Sequence, residues 1–311
     1  MTTLRAATRG SALARWQTDH VAALLADAHG PGVALEPVVV ETTADQRLDI
    51  PIWAMGGKGV FVKEVQAALL DGRARLAVHS GKDLPAATHP DLVVAAVPHR
   101  ADARDVLVGA TFADLPVGAL VATGSVRRRA QLAWRRPDLT FTGLRGNIAT
   151  RLERIPAGGA IVMAAAALDR LGLHDALANR GMPFEVLEPG LMLPQVAQGA
   201  LAIECRRDDD EALALLRTIE HEPSRRAFDA ERAFLDALGG DCDLPAGAYA
   251  RPARHPDPGA VGAGVVIDAL LASLDGHTVL RRTHEGPDAA AAGRQIAAEL
   301  LATGGRALLD R

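Results

Sequence analysis

Five adjacent residues, His79-Ser80-Gly81-Lys82-Asp83, put a hydroxyl, a cation and a carboxylate within a few positions of each other, and Leu84-Pro85 closes the run. Such a set can bind an anion or move a proton beside a developing charge. It follows Ala74-Arg75-Leu76-Ala77, a small apolar run that reads as a buried strand. A strand opening abruptly into polar residues is where α/β folds place their sites, beyond the carboxyl end of a sheet. An ordinary turn, with Ser80 and Asp83 bonding nearby amides, accounts for the same residues. The segment alone leaves both readings open.

A second group is cationic and recurs at strand-to-helix junctions. Thr8, Arg9 and Ser11 stand at the first junction, where plain N-capping by Ser11 is the simpler reading. Thr123-Gly124-Ser125 leads into Arg127, Arg128 and Arg129; Arg145, Asn147 and Arg151 follow Gly143; Asp169-Arg170 ends an Ala-rich helix. Cations at a helix N-terminus oppose its dipole. Their repetition through residues 98–197, with Arg9 and Lys82 from the first part of the chain, points to a cleft for a polyanion or polycarboxylate. A solvated basic face is the plainer account of any single junction.

Composition narrows the choice. The chain has 311 residues, 49% hydrophobic and 23% charged, so two or three domains are expected. Aromatics are 3%, and the cores must be built from Ala, Val, Leu and Ile. A formal net charge of -4 argues against a dedicated nucleic-acid binder, as does the scarcity of aromatics for base stacking. No apolar run reaches membrane-spanning length and no secretory signal precedes the patterned sequence, so a cytoplasmic protein is expected. Only Lys58, Lys63 and Lys82 are lysine, and 31 of 34 basic residues are arginine. Lysines kept in such a chain suggest positions where a compact ammonium is needed. The two cysteines, Cys205 and Cys242, lack zinc-ligand spacing. Cys205 ends an apolar strand and reads as structural. Cys242, in a Gly-flanked loop, reads as either an available nucleophile or an unremarkable loop cysteine.

The elements that must position these residues follow from periodicity. Strands are predicted over 3–9, 35–42, 74–77, 92–97, 119–122, 139–142, 160–163, 185–188, 200–205, 260–271 and 278–282. Helices are predicted over 12–28, 61–70, 126–135, 211–219, 224–238 and 289–302, with the Ala-rich helix ending at Arg170. Residues 43–59, with their glycines, read as a mobile loop or lid, and 99–105 as a charged crossing segment. The pattern is α/β: two lobes with hinge crossovers, plus a small C-terminal α+β domain.

Seven stretches in register carry a resemblance: ATRGSALARWQ at 7–17, GGKGVFVKE at 56–64, HSGKDLP at 79–85, ATGSVRRRAQL at 122–132, LRGNIATRLERI at 144–155, PQVAQGALAIECR at 194–206 and ERAFLDALGGDCDLPAGAYA at 231–250. Together they resemble the hydroxymethylbilane synthase (porphobilinogen deaminase) family over nearly the whole chain. The resemblance implies two periplasmic-binding-protein-like lobes, 1–97 with 198–216 and 98–197, and a C-terminal domain over 217–311. It implies stepwise condensation of four porphobilinogens with loss of ammonia, followed by hydrolytic release of a linear hydroxymethylbilane for haem biosynthesis.

By the same resemblance Asp83 is the catalytic carboxylate, and Cys242 holds one dipyrromethane cofactor by a thioether. Lys82, Arg127, Arg128, Ser125, Thr123, Ser80 and Asn147 would bind that cofactor. Arg9, Ser11, Lys58, Arg145, Arg151, Arg170 and Gln198 would bind substrate, and Lys63 would be structural. No metal, nucleic acid or membrane partner is implied, and a monomer is. The chain departs from the family pattern at Ala54, Ala122, Gly124, Ala197 and Asp241, which puts local loop geometry in question. The rival reading is a non-catalytic carboxylate-binding protein on the same two-lobed fold, which would leave Cys242 and the C-terminal domain without a purpose.

Overall fold

The computed structural model describes residues 2–42, 59, 62–240, 244–254 and 261–309. The strands in chain order are β1 (Thr2–Arg9), β2 (Val33–Val40), β3 (Leu76–Ser80), β4 (Leu92–Ala96), β5 (Asp105–Val108), β6 (Leu120–Ala122), β7 (Thr140–Thr142), β8 (Ala160–Ala164), β9 (Phe184–Leu187), β10 (Leu201–Arg206), β11 (Ala246–Arg254), β12 (Val261–Ala272) and β13 (Val279–Gly286). The helices are α1 (Ala12–His29), α2 (Lys63–Leu70), α3 (Val126–Arg135), α4 (Ile148–Leu152), α5 (Ala165–Arg170), α6 (Leu173–Asn179), α7 (Asp210–Arg217), α8 (Glu222–Ala237), α9 (Ala289–Leu300) and α10 (Arg306–Leu309). None of them is long and apolar enough to cross a membrane. The loop predicted over 43–59 lies outside the described residues except for Gly59.

The chain divides into two compact units, Met1–Ala101 with Ala200–Arg225, and Asp102–Gly199 with Arg226–Arg311. The first is built on a five-stranded sheet of order β2-β1-β3-β10-β4. β1 runs parallel to β2 and β3, whereas β10 is antiparallel to β3 and β4. Both faces are covered. Leu4, Ala6, Leu76, Val78 and Ile203 pack with Val21 and Leu25 of α1 and Leu216 of α7. Ala7, Ala77 and Leu92 pack on the other face with Val65, Ala68 and Leu69 of α2. Strands buried on both faces read as continuous apolar runs, and this one does so with small residues.

The second unit repeats the plan in the order β7-β6-β8-β5-β9. β6 is parallel to β7 and β8, and β5 is antiparallel to β8 and β9. Along β5, Leu107 faces one core while Val106 and Val108 face the other. A third sheet, β11-β12-β13, is antiparallel throughout. Its Leu270 and Ala272 pack against Ala130 of α3 and Leu193. A Cβ on Gly293 of α9 would lie 2.1 Å from the Ala230 carbonyl of α8, so only glycine allows those helices to approach so closely. Two sheet lobes with a small appended sheet domain are thus present, as the α/β pattern predicted.

Besides the helices α6 and α10, which the sequence reading did not anticipate, three strands differ from the sequence expectation. β3 extends through Ser80 because β10 pairs with it there, Leu201 opposite Ser80 and Ala202 opposite His79. β5, only four residues long, lies next to a charged run that hides it. β11 contains Gly247 and Pro252, both poor strand formers. It forms as an edge strand against the twelve-residue β12, with a register shift between Pro252 and Arg254 that accommodates the missing donor.

Candidate active site

In the first unit β1, β2 and β3 are parallel, so their carboxyl ends share one edge of the sheet. Arg9 ends β1 and Ser80 ends β3 there. Ser11 caps α1, its hydroxyl accepting the Ala14 N–H at 3.2 Å, so the simpler reading of that residue is realised. Gly81–Asp83 forms a single 3-10 turn. The turn is fixed at both sides: the Gly81 N–H donates to the Ala200 carbonyl at 2.9 Å, and the Leu84 N–H closes onto Gly81 at 3.3 Å. The buried Gln17 amide donates to Ser80 Oγ at 2.8 Å. Lys82 and Asp83 are half-buried. The Asp83 carboxylate has no hydrogen-bond or ion-pair partner among the described residues, which leaves both oxygens available to a ligand.

A buried acid lies under this turn. Glu204 of β10 is fully buried, and Gln66 Nε2 of α2 donates to its two oxygens at 3.2 and 2.9 Å. His79 Nε2 lies 3.0 Å from Glu204 Oε2. A buried polar group requires partners, and the Gln66 amide with the adjacent His79 ring ties β10 to α2 and to the end of β3.

The second unit places the other residues at the corresponding sheet edge, because β6, β7 and β8 are parallel and each is followed there by its junction. Ser125 caps α3 by accepting the Arg128 N–H at 3.4 Å, and Asn147 caps α4 by accepting from the Thr150 N–H at 3.0 Å. Thr123 Oγ1 accepts the Ser125 N–H at 3.2 Å. Arg151 Nε donates to the Gly146 carbonyl, and Arg154 holds the Arg145 carbonyl. Arg170 Nη2 donates to the Gly199 carbonyl at 2.7 Å. Burial lowers the Arg170 pKa to about 10, which leaves it protonated at neutral pH. Arg129 turns away, over the Phe141 ring.

The cations at the start of α3 have an internal anion that sequence reasoning missed. Asp105, the first residue of β5, is completely buried and lies 2.8 Å from Arg127 Nη2. Arg128 donates to Asp105 Oδ1 from Nε at 3.0 Å and from Nη2 at 2.7 Å. Gln198 Nε2 adds a bond to the same oxygen at 2.9 Å. Burial pushes the Asp105 pKa up, but Arg127, Arg128 and these hydrogen bonds outweigh it and hold it at about 2. Glu231 of α8 was missed as well; it is fully buried and accepts the backbone N–H groups of Ala197 and Ala250. The available signal was an acid directly before an apolar run, in Asp105-Val-Leu-Val, and an acid on the apolar face of the helix preceding Cys242.

Of the site residues expected from sequence, Arg9, Ser11, Ser80, Lys82 and Asp83 thus meet at one sheet edge. Thr123, Ser125, Arg127, Arg128, Arg145, Asn147, Arg151, Arg170 and Gln198 belong to the second unit. Lys58 and Cys242 lie outside the described residues, as do Ala54 and Asp241.

The repeated sheet order and polar carboxyl edges define an α/β protein with two sheet lobes and a third sheet appended. The family model described as "Porphobilinogen deaminase, dipyromethane cofactor binding domain" matches residues 4–214, and "Porphobilinogen deaminase, C-terminal domain" matches 226–302. The porphobilinogen deaminase of Roseiflexus sp. (strain RS-1) is 44% identical over 99% of this chain and 98% of its own length. That of Nitratidesulfovibrio vulgaris (strain Miyazaki F) is 44% identical over 97% and 95%. A periplasmic VFT2 domain of Bordetella pertussis BvgS aligns with 70% of this chain and 86% of its own, at 17% identity and a TM-score of 0.39. The chain belongs to the porphobilinogen deaminase family.

Proposed function

We propose that this chain is a hydroxymethylbilane synthase, a transferase that condenses four porphobilinogens with loss of ammonia and releases linear hydroxymethylbilane. The observation that carries this reading is the match of both family models in order along the chain, with 44% identity to curated deaminases over almost its full length. The non-catalytic solute-binding alternative accounts for neither match.

The family model names a dipyrromethane cofactor. The donor set suits such a group, which carries carboxylates and pyrrole N–H groups. Two guanidinium groups, Arg127 and Arg128, face a single internal carboxylate, and the buried Arg127 Nε makes no hydrogen bond. When bound through a thioether to Cys242, the cofactor supplies the primer from which the chain is extended. Lys82, Thr123, Ser125, Arg127, Arg128, Ser80 and Asn147 are proposed to hold it. Arg9, Ser11, Arg145, Arg151, Arg170, Gln198 and Lys58 are proposed for the substrate, whose acetate and propionate suit the planar forks of arginine.

Asp83 is proposed as the catalytic group. Loss of ammonia and attack by a pyrrole carbon both develop positive charge, and a fixed carboxylate near the pyrrole nitrogens stabilises it. The same carboxylate would assist removal of the proton from the attacking pyrrole carbon, which restores the aromatic ring after the new C–C bond forms. Its support is the half-buried, held turn and the absence of any partner for Asp83 among the described residues. The protein is further proposed to act as a monomer in the cytoplasm, the first of which a sedimentation measurement tests.

Intact-mass measurement of the purified protein tests the central reading. The expected result is a covalent adduct of dipyrromethane mass that is lost in Cys242→Ser. Active protein of unmodified mass would overturn it. For Asp83, the Asp83→Ala variant should fold and lose turnover; near-normal turnover would remove the residue from catalysis.

A further inference from the structure

Asp105 sits where one strand, one helix and one loop meet. Its Oδ1 takes Nε and Nη2 of Arg128 and the amide of Gln198, while its Oδ2 faces Arg127 Nη2 at 2.8 Å. Each arginine is also anchored from behind. Arg127 Nη1 donates to the Leu193 carbonyl at 2.6 Å, and Arg128 Nη1 donates to the Val162 carbonyl at 2.8 Å. Gln131 clamps the same Leu193 through both its carbonyl and its amide. Guanidinium groups on long stems ordinarily sample many rotamers, and fixing them costs conformational entropy. Here both are fixed before any ligand arrives.

The charge is uneven. Asp105 and the two arginines carry a formal +1, and Gln198 adds none. Asp105 stays ionised well below neutral pH, so this balance does not change over the working range. A partly desolvated excess cation is strongly attracted to a carboxylate that approaches it. A carboxylate that took both charges fully would leave no attraction, and its absence would let the forks repel and separate.

The geometry points to Asp105 as a positioning residue for anion binding: it holds Arg127 and Arg128 in fixed orientations and leaves one positive charge of the pair for the carboxylates of the pyrrole chain. The role rests on the transferase reading above and adds a residue that neither the reaction nor the arginines themselves specify. Asp105 is fully buried and its carboxylate is occupied by Arg127, Arg128 and Gln198, so it acts through the arginines. The 194–199 loop belongs to the same network, because Gln198 bonds Asp105 and the neighbouring Ala197 N–H is held by Glu231. A Cβ on Gly247 of β11 would lie 2.7 Å from the Pro194 carbonyl and 3.2 Å from Arg127 Cδ, so the strand following the cofactor cysteine packs on this network too.

The test uses Asp105→Asn and Asp105→Glu beside wild type, reading folding by circular dichroism, adduct occupancy by intact mass, and KM separately from kcat. Wild type must carry the adduct and turn over; if it does not, the transferase reading fails whatever the variants do. Asp105→Asn, where folded, is expected to lose at least half of its adduct occupancy, and its loaded fraction to show a KM for porphobilinogen raised tenfold or more with a smaller change in kcat. A residue that only stabilised the fold would lower the melting temperature and leave KM alone. Folded Asp105→Asn with full occupancy and KM within twofold of wild type overturns the proposal. Should Asp105→Asn not fold, Asp105→Glu decides, because it keeps the charge and displaces both forks. A severalfold higher KM supports positioning, and an unchanged KM overturns it.

Discussion

Glu231 accepts the backbone N–H of Ala197 at 2.6 Å, and Ala197 is the one non-glycine among the described residues with a left-handed backbone, at φ 57. The sequence already marks position 197 as a departure from the family's usual glycine. An alanine held in that region costs about 1 kcal/mol, and Glu231 supplies a constraint that keeps it there. Replacing Ala197 by Gly should therefore stabilise the protein by at most roughly 0.6 kcal/mol, because the freer unfolded chain offsets about 0.4–1 kcal/mol of the relieved strain. Urea denaturation checks this; a destabilised variant would show that the left-handed turn carries no strain.

Acid stability should depend on Asp105. Its folded pKa, about 2, lies below the ordinary carboxylate value, so its contribution is present above about pH 4 and disappears as pH falls through 2. The shift corresponds to a contribution on the order of 2 kcal/mol. The stability difference between wild type and Asp105→Asn should shrink steadily as unfolding is measured from pH 5 downwards. A difference independent of pH would mean that the ionised carboxylate is not what the variant loses.

Thiol reactivity should separate the two cysteines. Cys205 is buried, and burial pushes its thiol up to about 11, so it should resist alkylation in the native protein at pH 8. If Cys242 carries the proposed thioether, the denatured holoenzyme should then react with one equivalent of thiol reagent. Two equivalents from fully active protein would contradict the thioether.

Ser125→Ala distinguishes capping from ligand binding. Its hydroxyl caps α3, and loss of a cap costs about 1 kcal/mol. A variant that loses this stability and also raises KM uses Ser125 for both purposes. One that loses stability alone confines it to the helix.

How much of this was legible in the sequence varied with the kind of force involved. The helix over 126–135 and the strands flanking the polar turn could be read because their apolar spacing is local. Capping by Ser11 was equally readable, because it depends on neighbouring positions, whereas the caps supplied by Ser125 and Asn147 emerged only in the structure. β11 was not readable, because Gly247 and Pro252 argue against a strand until β12 supplies the partner. Asp105 was hidden for the same reason. Its partners lie 22, 23 and 93 residues further along the chain, at Arg127, Arg128 and Gln198, and no local pattern joins them. The sequence argument read the arginines that oppose a helix dipole as partners of an anionic ligand. It could not show that a first anion is already built in and that it satisfies only part of their charge.

The insertion of β10 between β3 and β4 has a consequence for synthesis. Residues 76–96 emerge from the ribosome long before residues 201–206, yet the first sheet lacks an inner strand until the later segment arrives. The nascent chain therefore displays two unpaired apolar strand edges for the time needed to make about a hundred residues, some 5–20 s at ordinary elongation rates. The whole second sheet is produced within that interval and can close first. The lobe that begins the chain is the lobe that finishes late, and this is where a holdase chaperone would have the longest opportunity to bind.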